Sequence, residues 1–178
     1  MSVTRKSPAS RPIKSEVKPP ASAQPAAERR SAEAQLNDLI AKFAPNQTRL
    51  AGTVRKALRK RLPTSHEVVY EYRDCFVISF APNERGYEGV LSIRGSEGGL
   101  QLYFNRGKEL PDPEKLLQGS GGLVRFIRIE GASTLTQPPV ARLMDEAIAR
   151  SGAPFAPTGR GSIVIRATAA QKRRGVKK

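Results

Sequence analysis

The 178-residue chain predicts an α+β domain, an antiparallel sheet of five to six strands packed against about three helices, carried between disordered basic tails. Three observations predict it. Apolar residues recur at helical spacing near both ends of the central region. From Glu67 onward the spacing shortens to the period of two expected of strands. The connections in that block are short and rich in Gly and Pro, which favours antiparallel neighbours, because a parallel pair needs a crossover of about a dozen residues or more.

Residues 1–30 are Pro-, Ser- and Ala-rich with almost no large apolar side chains, so they cannot bury enough surface to offset the entropy of ordering. Ser31 then stands as an N-cap, and Leu36, Leu39, Ile40 and Phe43 follow on one stripe, predicting a helix over Ala32 to Phe43. Pro45 suits the first turn of a second helix, whose buried stripe is Leu50, Val54, Ala57, Leu58 and Leu62. Its other face carries Arg49, Arg55, Lys56, Arg59, Lys60 and Arg61, and Pro63 stops it. Those cations are a ridge available to phosphates; they also complement the negative end of the helix dipole, and the two readings stay open.

Strands are predicted at Val68 to Tyr72, Cys75 to Phe80, Tyr87 to Ile93, Leu100 to Phe104 and Leu123 to Ile129, with turns at Pro82 to Gly86 and Gly95 to Gly99. Pro138 and Pro139 open a last helix with Val140, Leu143, Met144, Ala147 and Ile148 inward, and Gly152 ends it. Ile163, Val164 and Ile165 add an edge strand. The expected organisation is a basic tail over 1–30, one domain over 31–166 and a basic tail over 167–178.

The net charge of +15 is unevenly placed. Residues 1–30 hold seven Lys/Arg against Glu16 and Glu28, and residues 160–178 hold seven with no acid, so the middle is only weakly basic. Such tails attract nucleic acid or other polyanions without reading sequence. A single cysteine, Cys75, excludes an intrachain disulfide and a cysteine-based zinc site, as a reducing compartment would suit. With no secretory signal core and no apolar stretch long enough to span a bilayer, the chain is expected to be cytoplasmic and free of the membrane.

Chemistry-bearing residues are few. His66 is the only histidine and has no evident nucleophile, Cys75 reads as a small buried apolar residue, and the carboxylates show no metal-loop spacing. No catalytic residue, metal or cofactor is assigned. Glu67 and Glu71 share a strand face. Asp112, between two prolines, is expected to cap a helical turn over Glu114 to Leu117, and Arg125 to pair with it and brace the loop. Gly119-Ser120-Gly121-Gly122 lacks the Lys-Ser/Thr and following helix of a phosphate loop.

The segments Tyr103-Phe104-Asn105-Arg106-Gly107, Leu110-Pro111-Asp112-Pro113, Leu116 to Gly121 and Arg125-Phe126-Ile127-Arg128-Ile129, with Glu67 before Val68-Val69-Tyr70, resemble the YdhG-like domain family, a group of unknown function. The resemblance covers roughly residues 35–170. It implies a compact α+β fold related at fold level to a frataxin-like grouping, and hence, as an alternative function, an iron-binding chaperone of frataxin-like type. The carboxylates of the first helix for that role are Glu33 and Asp38.

The reading carried forward is a non-enzymatic binding or accessory domain. Its ligand-surface candidates, for a small ligand or protein partner, are Glu67, Tyr70, Tyr72, Tyr103, Asn105, Asp112 and Arg125. Its polyanion-contact candidates are Arg55, Lys56, Arg59, Lys60, Lys172, Arg173 and Arg174.

Overall fold

The computed structural model describes residues 24–167. The tail candidates Lys172, Arg173 and Arg174 lie outside the described residues, as do residues 1–23. Within them, three helices, α1 (Ala26–Phe43), α2 (Thr48–Arg61) and α3 (Pro138–Ala149), pack on a six-stranded sheet. Its strands are β1 (His66–Glu71), β2 (Phe76–Ala81), β3 (Leu91–Ser96), β4 (Gly99–Phe104), β5 (Arg125–Ile129) and β6 (Ile163–Ala167). The order across the sheet is β5-β4-β3-β2-β1-β6.

The first five strands form the expected antiparallel meander. The sixth departs from the expectation: β6 runs parallel to β1, so the sheet is mixed. The cause is connection length. The chain leaves β5 at one edge and returns to the other through α3 and the linker after it, a crossover long enough for parallel pairing. Gly161 makes the approach possible, since a Cβ there would run into the backbone of Ser65 and His66, where β1 begins.

α1 starts six residues earlier than the Ser31 cap predicts, at Ala26 after Pro25, with no side-chain cap. Tertiary contacts replace the cap. The Gln24 amide exchanges two hydrogen bonds with the backbone of Ile163, each 3.0 Å, and Arg29 Nη1 donates to Gly161 O at 2.8 Å. Residues 24–30 therefore belong to the folded unit and not to the tail. Pro45 opens a short 3-10 turn, not α2 itself. The third predicted strand is shifted, β3 running to Ser96, because a two-residue turn at Glu97-Gly98 leads straight into β4.

Period-two alternation divides the sheet into two faces. Val69, Phe76, Ile78, Phe80, Leu91, Ile93, Leu102, Phe104 and Ile127 face the helices and join Leu36, Ile40, Val54, Leu58, Leu143 and Met144 in one core. Phe76, Phe80 and Phe104 are fully buried there. The other face carries no helix among the described residues.

Candidate functional site

Glu67 belongs to the helix side of the sheet, and its expected place on a ligand surface is corrected. It is only 2 % exposed, and Arg55 of α2 reaches it with Nε at 2.5 Å and Nη2 at 3.2 Å. The same guanidinium donates to both carboxylate oxygens of Glu33 on α1, and Arg59 Nε stands 3.4 Å from Glu67. Arg55, expected on an exposed ridge, is thus corrected as well: it is buried because two carboxylates meet it there. Burial by itself would lower its pKa, but hydrogen bonds to Glu33 and Glu67 outweigh that and raise it. The hydrogen bond from Arg55 holds the Glu33 carboxyl below its usual range, against the effect of burial.

On the open face, strand register aligns side chains into rows that cross all six strands. One row reads Arg166, Tyr70, Val77, Arg94, Gln101, Arg128. It contains three arginines and no carboxylate. Arg94 Nη1 donates to Gln101 Oε1 at 3.3 Å, Tyr103 Oη donates to the same oxygen at 3.1 Å, and Arg166 Nη2 donates to Glu84 O at 2.5 Å. Asp74 of the β1–β2 turn stands 3.8 Å from Arg94 Nη2. Arg128 is exposed and has no carboxylate partner among the described residues. Alongside the Arg94–Arg128 half of the row, toward the β3–β4 turn, lies a concavity of about 660 Å³ with Arg94, Gln101 and Arg128 in its wall.

The adjacent row reads Val164, Val68, Ser79, Ser92, Tyr103, Phe126. Its middle is covered by the β2–β3 loop: Ser79 Oγ donates to Gly86 O at 3.4 Å, and Asn105 Nδ2 donates to Gly89 O at 2.6 Å while Ser92 Oγ donates to its Oδ1 at 3.3 Å. Asn105 therefore fastens the loop to the end of β4. At the uncovered end, Tyr103 stacks on Phe126 with ring centroids 5.4 Å apart. Tyr70 and Tyr72 form a second aromatic pair at 6.4 Å, with Tyr72 47 % exposed. Of the sequence candidates, Tyr70, Tyr72 and Tyr103 share this face. Phe126, Arg94, Gln101, Arg128 and Arg166 were missed; their period-two positions were visible, but their alignment needs the register.

Asp112 and Arg125 do not pair, which corrects the expected brace. The Asp112 carboxylate is consumed by the backbone N–H groups of Leu116 (2.9 Å) and Leu117 (2.8 Å), as the capping expectation requires. The turn is not helical, however, since Lys115 adopts φ 53°. Arg125 Nη1 instead donates to Gly121 O (2.6 Å) and Val124 O (2.8 Å), so it holds the glycine-rich bend by its carbonyls.

His66 is buried between β1 and β6, where its Nδ1 accepts from Ser162 N–H at 3.2 Å. Burial pushes the Cys75 thiol up, away from a reactive thiolate. Among the described residues no three His, Cys, Asp or Glu side chains gather to hold a metal, and no helix is long and apolar enough to cross a membrane. A further concavity of about 510 Å³ lies between the end of α3 and the β2–β3 loop, floored by Val90, Leu110 and Ala147. Its charged residues are paired, Arg106 with Glu109 at 2.8 Å within the lining, and Arg150 with Glu146 at 3.1 Å and Glu88 with Arg85 at 3.8 Å beside it.

The β6 edge gathers positive charge. Gln24, bonded to Ile163, and Ala167, the end of β6, are the first and last described residues, and both stand at the β6 strand. Residues 1–23 hold Arg5, Lys6, Arg11, Lys14 and Lys18 against Glu16, and residues 168–178 hold Lys172, Arg173, Arg174, Lys177 and Lys178 without an acid. Beside this edge, burial and the neighbouring charges of Arg160 and Arg59 lower the pKa of Arg29. On α2, Lys56 and Lys60 are exposed, as is Arg49, and none of the three has a carboxylate partner among the described residues; Arg59 is turned toward Glu67. No family model, curated protein or solved structure matches the chain.

Proposed function

We propose that the chain is a non-enzymatic accessory domain that binds polyanions, nucleic acid first among them, at the β6 edge of its sheet. The observation that carries this reading is that the first and last described residues, Gln24 and Ala167, both stand at one strand. The segments that precede Gln24 and follow Ala167 in the sequence hold ten Lys/Arg against one acid, and Arg29, Arg160 and Arg166 add to the charge of that edge. Two charged segments sharing a root raise each other's effective concentration on one polyanion, so their contributions reinforce without any new contact. Neutralised phosphates release counterions, which makes such binding strong at low salt and indifferent to sequence. The kinship to YdhG-like domains belongs to the same proposal and draws support from the α+β frame.

The test is duplex DNA binding by the full chain as a function of salt. Replacing Lys172, Arg173, Arg174, Lys177 and Lys178 by Gln should flatten the slope of log affinity against log salt by about 0.9 for each phosphate that is no longer neutralised. An unchanged slope, or a parent chain that holds no duplex at low salt, overturns the reading.

A further inference from the structure

We infer that the open face of the sheet is a binding site for single-stranded nucleic acid, with the strand lying across the β-strands along the row from Arg166 to Arg128. The inference takes its ligand class from the polyanion reading but places the site elsewhere, on a surface that the tails do not form.

Four features of the face select this occupant. Its charge is of one sign along the row: Arg128 and Arg94 sit two strands apart and Arg94 and Arg166 three, about 10 and 14 Å at the usual strand spacing, so successive guanidiniums can meet phosphates along one backbone. Aromatic rings flank the charges on both halves of the sheet, Tyr70 with Tyr72 and Tyr103 with Phe126. Stacking on such rings tolerates any base, but it requires bases that are not already paired and stacked inside a duplex. Gln101 adds a side-chain amide whose oxygen is taken by Arg94 and Tyr103, which leaves its N–H groups to donate. Finally, the β2–β3 loop fastened over Ser79 and Ser92 walls one side of the row, so a strand lying along the row meets the loop on that side. The row begins at Arg166, one residue before β6 ends and the basic C-terminal segment continues, so a strand captured by the tail is delivered to it.

The chain has four tyrosines and no tryptophan, which provides a direct readout. Tyr70, Tyr72 and Tyr103 lie on this face, so a labelled thymidine dodecamer binding there quenches tyrosine emission as its anisotropy rises. In the full chain, Arg94→Gln with Arg128→Gln should weaken the single strand about tenfold and leave a duplex of equal length within about twofold. Circular dichroism and urea midpoint guard against misfolding, and Arg142→Gln with Arg150→Gln, exposed on α3 and its C-terminal end, serves as a charge-matched control away from the face. Equal weakening by the control pair, or binding without tyrosine quenching, overturns the site while leaving the polyanion reading intact. Failure of the parent chain to bind either nucleic acid overturns both.

Discussion

At the scale of single residues, the most consequential contact is the one between Arg55 and its two carboxylates. A guanidinium taken out of water is tolerated only while its donors stay occupied, and removing one partner of such a pair leaves an uncompensated buried charge. Glu67→Gln is therefore expected to lower stability by about 3 kcal/mol in urea denaturation. A decrease below about 1 kcal/mol would show that Glu33 alone satisfies Arg55. The same cluster sets a pH dependence. Because the Glu33 carboxyl is held below its unfolded value, its contribution is complete above about pH 4.3 and is lost as pH falls through the lower folded value. The urea midpoint should hold between pH 7 and 5 and drop below pH 4; a midpoint that stays level through that range contradicts it. Neither role was legible in the sequence. Arg55 sits among five other basic residues of one helix, and only the packing of α2 against β1 separates it from them.

At the scale of elements, α2 contains a glycine that its packing does not require. Nothing stands within 4 Å of where a Cβ of Gly52 would be, and its backbone is helical. Glycine in a helix interior costs roughly 1 kcal/mol relative to alanine, so Gly52→Ala should raise stability by about that much. A neutral or destabilising outcome in thermal unfolding would show that the α2 backbone at this point departs from ordinary helix. Gly52 lies one turn from both Arg49 and Lys56, on the exposed side. α1 shows the opposite situation, a helix start that local signals misplace. Ala26, Ala27 and Glu28 have good helix propensity, and the contacts of Gln24 and Arg29 with the β6 region hold the added turn, so long-range bonds displaced the Ser31 cap. The segment around Asp112 was legible as a capped turn because its two amide bonds are local, whereas the choice of partner for Arg125 depended on where the glycine bend came to rest.

At the scale of the whole molecule, the described residues form a two-faced sheet: helices and the aromatic-aliphatic core on one side, and on the other a row of arginine and tyrosine that starts at the β6 edge, where Gln24 is bonded. The amino-acid sequence by itself determined the α+β class, the five-strand meander, the three helical stripes and the concentration of charge in the tails, because each depends on local periodicity, turn chemistry or composition. Only the tertiary structure decided that β6 pairs parallel to β1, that Glu67 and Arg55 are buried together, and that Arg166, Tyr70, Arg94 and Arg128 fall on one line. The reason is physical. Strand alternation tells which face a side chain takes, but alignment between strands is a property of their register, and register is settled by contacts among residues far apart in the chain.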